Sequence, residues 1–76
     1  MVGQYVRMLI APNTRKGTIT QTRIERGRVE YLFRHDPRFD NVLPDFWLME
    51  SEIEVCVPPT DEEVEAINAL AKYGSR

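Results

Sequence analysis

Three features of the sequence predict a mainly β domain of five strands followed by one C-terminal α-helix. Short alternations of apolar and polar residues recur between residues 4 and 57, separated by turn-forming residues. Pro58 and Pro59 then stop the sheet, because neither can donate a ladder hydrogen bond. Beyond them, Thr60 and Glu63 stand at the spacing of a helix capping box, ahead of an apolar stripe of helical period.

The first strand is expected over Gln4–Ile10, where Val6, Met8 and Ile10 alternate with Tyr5, Arg7 and Leu9. Ala11-Pro12-Asn13-Thr14-Arg15-Lys16-Gly17 follows as a turn, with Pro presetting φ and Gly free to take positive φ. Thr18–Glu25 is rich in β-branched residues and predicts the second strand. Its two isoleucines, Ile19 and Ile24, differ in parity, so a bulge or bend between them is needed to bring both to the core side.

Glu25-Arg26-Gly27-Arg28 predicts a tight hairpin. In the third strand, Arg28–His35, Val29, Tyr31 and Phe33 form one face and Arg28, Glu30, Leu32 and Arg34 the other. Asp36–Asp45 holds two prolines and no periodicity, which predicts a loop of about ten residues, a length less common in compact domains and more often functional than shorter ones. Phe46–Met49 supplies a short fourth strand. Ile53, Val55 and Val57 alternate as the fifth, after a Glu50-Ser51-Glu52 turn. Residues 58–60 form the link and N-cap.

The helix is expected over about residues 61–73. Asp61, Glu62 and Glu63 complement its positive end and Lys72 its negative end, and Gly74 suits the C′ position. Val64, Ile67, Leu70 and Ala71 make its apolar stripe. A helix this short is marginal alone, so it must pack on the sheet or on a partner.

All 76 residues are expected to form one domain. A chain of this length buries only about 60% of its unfolded surface, which leaves a thin core. The single cysteine, Cys56, cannot form an intrachain disulfide and has no zinc-ligand spacing around it. With no leader-like segment and no apolar run near the ~20 residues that cross a bilayer, a cytoplasmic, membrane-free setting is expected.

The charge is divided along the chain. Residues 1–38 carry eight Lys/Arg against three Asp/Glu, a balance of +5. Residues 39–76 carry two against nine, a balance of −7. Such an asymmetry points to a charged macromolecular partner.

The run Val6-Arg7, Pro12-Asn13, Gly17-Thr18-Ile19, then Val29-Glu30-Tyr31, Phe46-Trp47 and Glu52-Ile53-Glu54 resembles small SH3-like (Tudor/KOW-like) β-barrels. The resemblance covers about residues 4–57. It implies a five-stranded barrel and a binding role rather than a catalytic one. Related barrels occur as accessory domains of helicase and transcription machinery and as small phage or mobile-element proteins. The opening Gly3-Gln4 departs from the Gly-Asp step common before the first strand of such barrels.

Catalysis has little to work with, and no enzyme, catalytic residue, metal or cofactor is expected. His35 is the only histidine, and its neighbour Asp36 lies on the opposite face of a strand. Ser51 and Ser75 have no nucleophile elbow. Glu50, Glu52 and Glu54, with His35, would be the one grouping to consider for a cation, against the simpler reading of a solvated surface.

The binding candidates are Arg23, Arg28, Arg34 and Arg38, with Phe39 and Trp47. Arg23, Arg28 and Arg34 share an outward sheet face suited to phosphate, with aromatic stacking added for a single strand. The competing reading is that Glu25 and Glu30 pair with these arginines and merely solubilise the sheet. Two functions follow. One is a protein-interaction module attached to nucleic-acid machinery, whether as accessory, inhibitor or homo-oligomer. The other is direct nucleic-acid binding through the arginine face.

Overall fold

The computed structural model describes residues 2–9, 15–40 and 43–74. Its elements are β1 (Tyr5–Met8), β2 (Lys16–Glu25), β3 (Arg28–His35), β4 (Phe46–Met49), one turn of 3-10 helix (Glu50–Glu52), β5 (Ile53–Val55) and α1 (Asp61–Gly74). The strands form one antiparallel sheet in the order β4-β3-β2-β1-β5. The protein is therefore a mainly β domain of five strands and one C-terminal helix. Of the turn expected over Ala11–Gly17, residues 11–14 lie outside the described residues, and Lys16 and Gly17 belong to β2 instead.

The sheet is open. Among the described residues no hydrogen-bonded pairing joins β4 to β5, so the pairing does not close a barrel. Even so, one core cluster draws on every strand: Val6 and Met8, Ile19, Phe33, Leu48 and Ile53. Leu48 and Ile53 come from opposite edges of the sheet. They can share a core only because the sheet curls strongly, as right-handed twist and bulges allow.

The expected bulge is present. Ile19 pairs with Phe33, but Gln21 pairs with Leu32, so Thr20 is the extra residue. The shift places Ile24 opposite Val29, on the same face as Ile19 and Phe33. Burial, however, ends before it reaches them: Ile24 is 76% exposed and Val29 47% exposed. The cause is strand length. β1 pairs with β2 only from Lys16 to Thr18, and β4 pairs with β3 only from Glu30 to Phe33. The distal β2–β3 hairpin thus runs beyond its neighbours as an arm of a molecule 44 × 23 × 18 Å across. At the tip, Glu25 pairs with Arg28 across a two-residue loop with φ of 51° at Arg26 and 77° at Gly27. That is the type I′ geometry, which matches the twist of the flanking strands.

Gly17 has a different role from the one its turn-like surroundings suggest. It lies within β2, buried, opposite His35 and Val6. A Cβ there would overlap the backbone carbonyl of Arg34. Glycine is required by close strand approach rather than by positive φ.

The fifth strand is shorter than its alternation implies. Only Ile53 is buried, while Val55 and Val57 are exposed and the strand ends at Val55. The helix begins as expected. Thr60 N–H donates to Glu63 Oε1 (3.1 Å) and Glu63 N–H to Thr60 Oγ1 (3.2 Å), a complete capping box. Of the described part of its stripe, Val64 is buried, whereas Ile67 and Leu70 are exposed.

Candidate interaction face

Alternation along β3 and β4 sends Trp47 and Met49 outward, beside Leu32 and Glu30 respectively. Arg23, opposite Glu30 on β2, joins them. Its guanidinium lies 4.1 Å from the Trp47 ring centroid while Nε donates to Glu30 Oε1 at 2.7 Å. Stacking on an indole and pairing with a carboxylate use the two faces of guanidinium chemistry together. Arg28 extends the cluster, with Nη1 3.4 Å from Met49 Sδ. Arg23, Arg28 and Glu30 also line, with Glu25 and Arg26, an open depression of about 410 Å³. Arg34 lies further down the same face and is well exposed, with Asp45 3.9 Å away.

The other two candidates lie elsewhere. Arg38 is committed within the fold, and Phe39 is partly buried beside it. Arg38 donates Nη2 to Asp36 Oδ2 (2.7 Å), Nε to Asp36 Oδ1 (3.1 Å) and Nη1 to Asp61 Oδ1 (2.9 Å). Tyr5 Oη donates to Asp36 Oδ2 at 2.8 Å. Asn68 adds a second tie, its Nδ2 donating to the Arg38 carbonyl and its Oδ1 accepting from Asp40 N–H. These contacts clip α1 to the segment after β3. The fork of hydrogen bonds from Arg38 pulls the Asp36 carboxyl down to about 2. Burial, then the bond to Asp36, pushes the Tyr5 hydroxyl up.

His35 is buried, its ring edge-on to Phe33 at 5.6 Å, and it makes no hydrogen bond with Asp36. Its Nδ1 accepts from Leu43 N–H at 2.9 Å. Burial, reinforced by the Arg15 charge, lowers its pKa. The pair does not form a dyad. Nor do the acidic residues near the 3-10 turn gather around it. Glu52 Oε1 accepts from Met49 N–H, and Glu54 pairs with Arg7 at 3.1 Å. Among the described residues no group of three His, Cys, Asp or Glu side chains could hold a metal ion.

The charge halves meet in space. Arg7–Glu54, Arg34–Asp45 and Arg38–Asp61 each join a residue of the basic half to one of the acidic half. The sequence could not show which arginines those carboxylates would reach, because the pairing depends on strand register. No described helix is long and apolar enough to cross a membrane. Compared with known proteins, the chain matches no family model, no curated protein and no solved structure.

Proposed function

We propose that the chain is a small non-enzymatic interaction module that binds another macromolecule through the outer face of β2, β3 and β4. The partner is a protein component of nucleic-acid-handling machinery, and the chain serves it as an accessory or inhibitor of the kind phages and mobile elements carry. One observation carries this reading: Arg23 stacked on Trp47 and held by Glu30, with Arg28 beside Met49. Aromatic, arginine and methionine side chains in one mixed-charge cluster have the composition of a protein–protein hot spot. The SH3-like resemblance supports binding over catalysis, and it alone supplies the nucleic-acid context.

Ion pairing favours a protein partner over direct phosphate contact. Arg23 and Arg34 each face a carboxylate on this surface, so a phosphate backbone would meet carboxylates as well as guanidinium groups. Affinity capture from a host extract, with nuclease present, tests the reading. The wild-type chain is expected to retain a defined protein that Trp47→Ala and Arg28→Glu lose. Salt-dependent binding of oligonucleotides, abolished by Arg28→Glu with Arg34→Glu, would instead favour direct nucleic-acid recognition. Retention unaffected by either face substitution would overturn the assignment of the face.

A further inference from the structure

The distal half of β2 carries an open backbone edge. On that side, β1 pairs only up to Thr18, and Ile19 exchanges hydrogen bonds with Gly3 and Gln4. Among the described residues, no strand pairing or backbone bond reaches that edge over Gln21–Glu25. The segment Gln21-Thr22-Arg23-Ile24-Glu25 has no proline, glycine or lysine. It therefore lacks the proline and lysine that often blunt an exposed edge, and its two charges, Arg23 and Glu25, are opposite in sign.

Turn geometry fixes which groups face that edge. In the two-residue turn, Glu25 and Arg28 form the hydrogen-bonded pair. Antiparallel pairs alternate, so Ile24↔Val29 and Thr22↔Tyr31 are the non-hydrogen-bonded pairs. The N–H and C=O of Thr22 and Ile24 accordingly point away from β3, toward the free edge.

We infer that this edge pairs antiparallel with the same edge of a second copy, across a two-fold axis at Ile24. Two-fold registers can be drawn with the axis at Thr22, Arg23, Ile24 or Glu25, and the residues select among them. An axis at Glu25 sets glutamate directly against glutamate, which is destabilising. An axis at Thr22 sets Glu25 of the second copy against Ile19, whose edge Gly3 and Gln4 already occupy. An axis at Arg23 sets arginine directly against arginine, which is destabilising. An axis at Ile24 lets Ile24 of each copy exchange both backbone hydrogen bonds. It also sets Arg23 opposite Glu25 of the second copy, twice by symmetry. Ile24 and Val29 of both copies then form one continuous apolar stripe, covering the two side chains the arm leaves exposed. The partner is a second copy because the edge is self-complementary in hydrogen bonding, charge and apolarity at this register alone. This pairing engages Arg23 at the rim of the outer face, adds no chain over Trp47, and does not depend on the function proposed for that face.

The contact is small beside the ~800 Å² per partner of a standard interface, so association is weak and concentration-dependent. Sedimentation equilibrium from about 10 µM to about 1 mM covers the relevant range. Wild type is expected to shift from monomer to dimer, with slowed amide exchange at Ile24 as dimer forms. Ile24→Pro removes an edge N–H without removing a β2–β3 bond, and should weaken dimerisation at least tenfold. Arg23→Glu and Glu25→Arg should each be folded monomers by circular dichroism, and an equimolar mixture should restore the dimer. A wild type monomeric at about 1 mM would overturn the inference. So would dimerisation unchanged in Ile24→Pro, or single charge variants that lose dimerisation and fail to regain it on mixing.

Discussion

The Arg38 guanidinium grips the buried Asp36 carboxylate as a fork, Nη2 to Oδ2 at 2.7 Å and Nε to Oδ1 at 3.1 Å. Arg38 N–H completes the grip on Oδ1 at 3.0 Å. Since Nη1 also reaches Asp61, the fork is the joint between the sheet and α1.

Asp36→Asn tests that joint. The carboxyl falls from an ordinary 3.8 to about 2 in the folded protein, which corresponds to about 2 kcal/mol at neutral pH. Removing the charge should lower Tm by roughly 10 °C in a domain of this size. Thermal unfolding by circular dichroism measures it. A change of a degree or less would mean the fork contributes little.

Acid should destabilise the protein in two stages. His35 has a folded pKa below its unfolded value near 6.5, so its contribution is complete above that pH and is lost as pH falls through the lowered folded value. Protonation also turns the Nδ1 acceptor of Leu43 N–H into a donor. Asp36, also depressed, loses its contribution between about pH 4 and pH 2. Urea titrations at stepped pH should show both stages. His35→Gln, which keeps an acceptor but does not titrate, should flatten the first alone.

Elements written by local chemistry were legible in the sequence. β3, β4 and the capping box stand where expected, because alternation and the Thr60–Glu63 spacing act over a few residues. What depended on neighbouring strands was not. Ile24 and Val55 alternate like core residues, yet strand ends decide whether anything covers them. Arg38 reads from the sequence as a binding candidate, and only the placement of α1 brings Asp61 within its reach. Trp47 was legible as a binding candidate, but its contact with Arg23 is made across three strands.

Gly17→Ala should be among the most damaging single substitutions. The added Cβ meets Arg34 backbone, which cannot turn aside as a flexible side chain could. The strands must separate where Val6 and His35 flank them. A 76-residue domain has roughly 4–11 kcal/mol of total stability, so a loss of about 3 kcal/mol or more leaves a large unfolded fraction. Denaturant unfolding and proteolysis rates report it. A near-wild-type midpoint would show that β2 and β3 are less closely apposed than described.

Arg26 offers the opposite test, a substitution expected to stabilise. It occupies φ of 51° beside Gly27 at 77°, in a turn that favours Asn-Gly. A long side chain gains nothing from the left-handed region, whereas Asn tolerates it through local hydrogen bonding. Arg26→Asn should raise stability by about 0.5 kcal/mol, a few degrees in Tm. Arg26→Val, β-branched, should lower it by more than that. The pair of variants separates backbone strain from loss of the arginine charge, because both remove the charge and only one relieves the turn. Equal shifts in Tm would place the effect in the charge instead.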